Sequence, residues 1–316
     1  MSNTIYDNFF LANEIEDQFN SHLDLQRFCT IDNTLEGTVG MVKKIHRYSA
    51  TNGTQKLAMG EGNTQTIEAG YAEKEYRIQL AQNRFAYYDE EAMTDPMVVE
   101  TGTRHMGTDM FNTVNADAFA EFNKAELVVV TQAFGFDVFA DAVSLMNIEG
   151  TDNDPQDIFA FAFVCPTDVA AIRKALKDEL KYVEAFARVG YVGTVAGVNL
   201  YTKKDAVRGT VVVATNKAVT IFNKRGTQVE QPPRSKDEAN VRQNWIYSRK
   251  YYLAALTDAT KVVKTIVGTA AVTTDTEVDE TKTYYALDGL GYIEVTPATG
   301  DNPKTKGWYE ITPASF

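Results

Sequence analysis

Residues 95–122 read DPMVVETGTRHMGTDMFNTVNADAFAEF. Asp95 supplies an N-cap oxygen, and Pro96 suits the first helical position, where no backbone N–H is needed. Val98, Gly102, Met106, Met110, Val114, Ala118 and Phe122 then recur every four residues. That stripe spans about seven turns, or ~40 Å at 1.5 Å per residue. One long, continuous helix is expected; the alternative is two helices broken near Gly102 or Gly107.

On the N-terminal side of this helix the pattern changes to strand. Residues 39–45 and 76–80 have β character, with Asn52-Gly53 as a turn signal and the polar stretch 60–64 between them. A long two-stranded excursion follows from this. Its tip holds few large apolar residues, and an isolated ribbon is marginal in water, so it must rest on a partner. Before it, residues 1–36 carry seven acidic side chains against the single cation Arg27, which makes an acidic arm.

On the C-terminal side the elements alternate. Residues 137–146 read as a short amphipathic helix, 159–164 as a buried strand, 167–176 as a helix, and 200–202, 211–214 and 219–222 as strands. Pro232-Pro233 breaks structure, and residues 245–256 form a long aromatic strand through Trp245, Tyr247, Tyr251 and Tyr252. In the threonine-rich tail, strands at 283–287, 292–296 and 308–312 suggest a small β-meander. The class expected is α+β.

Composition limits what such a chain can do. With 316 residues, 44% hydrophobic and 23% charged, it has the make-up of a folded globular protein. Its longest apolar run, residues 158–165, is far short of the ~20 a membrane helix needs. Residues 1–7 have neither a basic start nor an apolar stretch, so no secretory signal is expected. A net charge of −12 has the wrong sign for gripping phosphates.

The catalytic search returns little. His22, His46 and His105 stand alone in their segments, and Cys29 and Cys165 have no partner at a ligand or redox spacing. We read both cysteines as small buried hydrophobes. Phosphate-cradling glycine loops and the nucleophile elbow are missing from the sequence. The acidic run Glu149, Asp152, Asp154 and Asp157 resembles a calcium loop but lacks its turn glycine and distal glutamate, so a solvated loop is expected. Neither catalytic residues, metal ligands nor a cofactor are assigned.

The order of parts resembles the Hong Kong 97-like fold of tailed-bacteriophage major capsid proteins. Two stretches carry the likeness. One is the excursion, with Gly37-Thr38-Val39, Lys43-Lys44, residues 57–62 (LAMGEG) and the exit 87–91 (YYDEE). The other is residues 164–168 (VCPTD) together with residues 190–201 (GYVGTVAGVNLY), similar to the family's axial domain. The resemblance covers about residues 1–262. It implies an N-terminal arm at 1–36, an extended loop at 37–90 and a peripheral domain with the spine helix at 91–125. An axial domain at 126–222, peripheral return strands at 223–263 and a C-terminal β-rich extension at 264–316 complete the division.

It further implies a self-assembling coat subunit of hexamers and pentamers, enclosing double-stranded DNA without sequence-specific binding and located in the virion after assembly in a host cytoplasm. Portal and a separate scaffolding protein would be its other partners. Inter-subunit contact candidates are Phe9, Phe10 and Phe19 in the arm and Lys43, Lys44, Lys56 and Glu61 in the loop. Some relatives cross-link such a loop lysine to a neighbour's asparagine; no partner is matched here, so that chemistry is left unassigned. A soluble α/β enzyme with a site around Asp152 to Asp157, or a phage surface module suggested by the tail, are the alternatives. One electrostatic expectation is added: residues 203–250 hold eleven basic against four acidic residues, net +7, and the acidic arm would lie across them, against the alternative of two unrelated solvated faces.

Overall fold

The computed structural model describes residues 23–51, 53–146, 160–176, 191–273, 278–279, 282–288, 291–298 and 300–311. The chain enters through a 3-10 turn at Leu25–Phe28 and a short strand β1 (Thr30–Asp32). Strands β2 (Val42–Ala50) and β3 (Ala69–Arg77) follow as an antiparallel ribbon, then β4 (Gln79–Tyr88), the short helix α1 (Asp89–Thr94) and the long helix α2 (Met97–Phe122). α2 is continuous, 26 residues or about 39 Å. The expected N-cap oxygen is in place, since Asp95 Oδ1 accepts the Met97 N–H at 3.0 Å.

α2 is unbroken at Gly102 because that glycine has a packing role. The ring of Phe85 on β4 lies over it, and a Cβ there would stand 2.5 Å from the ring. Farther along, Met106, Met110, Val114, Ala118 and Phe122 are buried, as the four-residue spacing requires.

Next come β5 (Leu127–Thr131), α3 (Phe136–Leu145), β6 (Ala160–Val164), α4 (Val169–Ala175), β7 (Tyr191–Val195), β8 (Val198–Thr202), β9 (Thr210–Thr215) and β10 (Val219–Glu230). The chain ends through α5 (Lys236–Asn240), β11 (Gln243–Leu256), β12 (Val262–Val267), β13 (Thr269–Ala271), β14 (Tyr284–Asp288), β15 (Gly291–Val295) and β16 (Tyr309–Ile311). Two sheets organise these strands. A four-stranded sheet has the order β1-β10-β11-β4; a ten-stranded mixed sheet has the order β13-β16-β14-β15-β5-β12-β9-β6-β8-β7.

β6 joins two cores. Strand side chains alternate between faces, so Phe161 and Phe163 point into a cluster with Val114, Ala118, Phe119 and Phe122 of α2 and Val219, Ile221 and Leu256 of the four-stranded sheet. Ala162 and Val164 enter a second cluster with Val138, Phe139 and Ala142 of α3 and Ile172 of α4. Burial on both faces accounts for the unbroken apolar run read in the sequence.

The tail belongs to the larger sheet. β12, which spans the division expected at 263/264, pairs parallel with β5 and antiparallel with β9. The three meander strands form near the expected positions and extend this sheet past β5, where Gly291 lets β15 close on the backbone of Val128. The ribbon differs from expectation in one respect. Its strands stop at Ala50 and Ala69, so the chain does not reverse at Asn52-Gly53; Asn52 itself lies outside the described residues. Gly53 packs against Ile67 instead, and reversal occurs at residues 58–61, with Gly60 at φ +91° and Glu61 N donating to Ala58 O at 3.1 Å.

Candidate inter-subunit surface

The four-stranded sheet has one face on α2 and one face turned outward. On the inner face Tyr252 donates its hydroxyl to Asp117 at 2.5 Å, and Asn83 Nδ2 donates to Met106 O at 2.9 Å. Burial pushes the Tyr252 phenol well above its ordinary range, and the Asp117 carboxylate adds to the shift. Such contacts fix helix and sheet as one body. At one end of the outer face, Phe222, Leu253 and Ala255 are covered by Ile45 and Tyr76 from the base of the ribbon. Lys43 sits there too, its Nζ 5.0 Å from the Phe222 ring centroid, and Tyr76 donates its hydroxyl to Leu256 O.

Beyond its base the ribbon is bare. Met59, Ile67 and Tyr71 are exposed, Met59 completely. Lys44 lies between Glu73 at 2.5 Å and Glu75 at 2.8 Å on the opposite strand. The hydrogen bond to Glu73, then that to Glu75, pushes its pKa up, so the ammonium stays charged, the reverse of what a nucleophilic cross-linking amine needs. Lys56 is exposed near the tip. Glu61 closes the tip turn by accepting the Ala58 N–H at 3.2 Å. The structure therefore gives Lys43, Lys44 and Glu61 duties within the chain and leaves Lys56 on the surface. Phe9, Phe10 and Phe19 lie outside the described residues, as do His22 and the run from Glu149 to Asp157.

At the root of the ribbon, Gly37 (φ +77°) and Gly40 (φ +111°) hold left-handed backbone that other residues resist. Lys224 Nζ donates to Thr38 O at 2.6 Å. A cleft of about 540 Å³ opens beside them, lined by Glu36, Met41, Lys224, Arg225 and Tyr251 among others.

Charge is less segregated in space than along the chain. Of the basic residues at 203–250, Lys203 pairs with Asp205, Arg208 with Asp168, Arg234 with Asp89, Arg242 with Glu90 and Arg249 with Glu230. Asp168, Asp89 and Glu90 come from outside this segment, so three of its seven excess positive charges are answered within the chain before any arm arrives. The Asp89 carboxyl is held below its ordinary range by Arg234 and then Asn244. Cys29 and Cys165 are both buried, as expected, and burial pushes the Cys29 thiol up to about 12. Among the described residues no cluster of three or more His, Cys, Asp or Glu side chains could hold a metal ion, and no helix is long and apolar enough to cross a membrane.

The linear reading missed a cation–aromatic run on the outer face. Arg84 of β4 lies 4.9 Å over the Trp245 ring of β11, Trp245 stacks on Tyr247, and Arg249 lies 5.7 Å from Tyr247. The alternation of β11 was visible; the position of Arg84 follows only from the β4–β11 register, which sets it opposite Tyr247.

No protein-family model matches the sequence, and no curated protein does either. Solved structures do match. The chain is similar to one from the capsid of the cyanophage P-SCSP1u, with a TM-score of 0.60, 13% identity and coverage of 78% of this chain and 88% of that one. A chain from the capsid of a native GTA particle gives 0.57 at 13% identity, covering 77% and 89%. One from the mature capsid of bacteriophage PhiM1 gives 0.54 at 12% identity, covering 84% and 89%. The chain has the Hong Kong 97-like fold that the order of its parts resembles.

Proposed function

We propose that the chain is a major coat subunit that assembles with copies of itself into the hexamers and pentamers of an icosahedral phage head. The observation that carries this reading is the ribbon. Its two strands project beyond their anchored base with Met59, Ile67 and Tyr71 in solvent, and a two-stranded ribbon is marginal on its own. A closed symmetric array supplies the missing partner surface at every position. The likeness to capsid chains supports the same reading through the fold.

Charge suits the role. At a net −12 the shell wall encloses double-stranded DNA while repelling it, so the polymer slides during packaging. Portal and a separate scaffolding protein are the further partners this reading calls for. The protein resides in the virion after assembly in the host cytoplasm. Sedimentation velocity of the purified chain tests the proposal: particles of many subunits that survive nuclease treatment are expected, and a chain that stays monomeric under every assembly condition, with or without a scaffold, refutes it.

A further inference from the structure

Sheet edges are commonly guarded by shortness, charge or proline. Among the described residues three outer strands of the two larger sheets are short: β1 and β13 have three residues each and β7 has five. The ribbon strands are rich in charge, with VKKIHR at 42–47 and EKEYR at 73–77. β4 has neither guard. It lies at the edge of the four-stranded sheet, runs for ten residues, QLAQNRFAYY, and carries one charge, Arg84, and no proline.

The ladder shows which groups are open. Asp89 N donates to Arg242 O at 3.1 Å, in register with the β4–β11 pairs, and antiparallel pairs alternate between hydrogen-bonded and not. Leu80, Gln82, Arg84 and Ala86 therefore turn their backbone N–H and C=O groups away from β11, and no described residue bonds to them. Both ends of this row are closed: Ile78 N donates to Met41 O at 2.8 Å, and Tyr88 N to Glu91 Oε2 at 3.1 Å. β2 would have continued along the row, but the chain turns off at Gly40 (φ +111°). What remains is a slot about 20 Å long over residues 80–86, with Leu80, Gln82 and Arg84 exposed.

Such a slot takes an extended segment, and the chain carries one. Residues 4–11 read TIYDNFFL, rich in β-branched and aromatic residues. Laid antiparallel with Asp7 opposite Arg84, they set Ile5 by Ala86, Phe9 by Gln82 and Leu11 by Leu80. Among the described residues no carboxylate pairs with Arg84; its face lies over Trp245, and a guanidinium that stacks by its face still pairs by its edge.

We propose that residues 4–11 add to β4 of their own chain as a fifth, antiparallel strand in the unassembled subunit, closing an edge that would otherwise recruit other chains. Reach and polarity select the same chain. The described residues begin at Leu23, and Leu25 N donates to Asn115 Oδ1 on α2. Tyr252, which bonds Asp117 in the same stretch of α2, pairs with Gln79 at the Leu80 end of the slot. Antiparallel docking brings Leu11 to that end, and residues 12–22 span up to ~40 Å, several times the helix diameter. Parallel docking would carry Leu11 to the far end. The inference stands apart from the coat-subunit reading, since it concerns the free subunit.

Hydrogen–deuterium exchange on monomeric full-length subunits, read at single residues, tests it. The amides of Leu80, Gln82, Arg84 and Ala86 are expected to exchange about a hundredfold slower than free-chain amides, and equally so at different protein concentrations. In this register the Phe9 N–H bonds to β4 and the Asn8 N–H points away. Phe9→Pro should therefore restore fast exchange at those positions, while Asn8→Pro keeps the protection. In the double variant Phe9→Cys with Gln82→Cys, mild oxidation should give a disulfide within one chain; the native thiols are buried.

Fast exchange at these amides in the wild type overturns the proposal, and so does equal loss of protection in both proline variants. A disulfide-linked dimer assigns the slot to the arm of a second copy and overturns it too, as does a double variant that forms no disulfide. Should a proline variant fail to fold, wild-type exchange and the cysteine pair decide. Particles that never form leave this inference standing and refute the coat reading alone.

Discussion

Phe122→Ala tests whether the long helix and both sheets share one core. Phe122 is fully buried in the last turn of α2, with Phe161 5.9 Å away and Phe163 5.6 Å away, both approached edge-on. Phe-to-Ala changes in cores cost about 3–5 kcal/mol, depending on how far the site can collapse. Here collapse is hindered, because the ring's neighbours are fixed in β6, β10 and β11. The upper half of that range is expected, which is a large share of the ~5–15 kcal/mol that holds a domain together.

The assay is urea unfolding of unassembled subunits, followed by tryptophan fluorescence and far-ultraviolet circular dichroism. Trp245 reports the four-stranded sheet and Trp308 the C-terminal strands, so coincident transitions would show a single cooperative unit. A cycle of Phe122→Leu with Phe161→Leu should return about 0.5–1.5 kcal/mol of coupling for the ring pair. A loss under about 1 kcal/mol for Phe122→Ala, or no coupling in the cycle, would refute the shared core.

Three further outcomes are expected. Replacing residues 50–63 by a short Asn-Gly turn should leave the subunit's urea midpoint unchanged and its assembly poor; normal assembly measured by light scattering, or a collapse of subunit stability, would contradict the ribbon's role. Changing Glu14, Glu16 and Asp17 to glutamine or asparagine should flatten the salt dependence of assembly between ~0.1 and ~1 M, where the Debye length falls from about 10 to 3 Å; identical curves for variant and wild type would show that arm charge plays no part. Cys29 should resist alkylation at pH 8 until the chain unfolds, and because its thiol is pushed up to about 12 in the fold while an unfolded thiol ionises near ~8.5, stability should decline as pH rises above about 8.5. Cys29→Ala should remove that decline, and rapid labelling of native Cys29 would contradict its burial.

What could be read from the sequence was what local periodicity encodes. The four-residue stripe of α2 and the apolar run of β6 each follow from one element meeting one or two packed faces. Contacts far apart in sequence were not legible. The tail looked separate because β12 finds its parallel partner in β5, at residues 127–131, with no local mark of the pairing. Asn52-Gly53 carried a strong turn signal that lost to strand register, since the pairing ends at Ala50 and Ala69 and leaves a longer loop to reverse at Gly60. Gly102 resembled a helix break, yet its missing side chain makes room for Phe85. Charges on residues 203–250 appeared unanswered because Asp89, Glu90 and Asp168 come from distant segments.

Whether the chain builds a shell is decided by electron microscopy of the purified full-length protein, alone and after coexpression with a scaffolding protein. Closed shells are expected, or hexameric and pentameric rings that close into shells, with each subunit's ribbon lying over a neighbour. Discrete monomers or small oligomers under both conditions would contradict it.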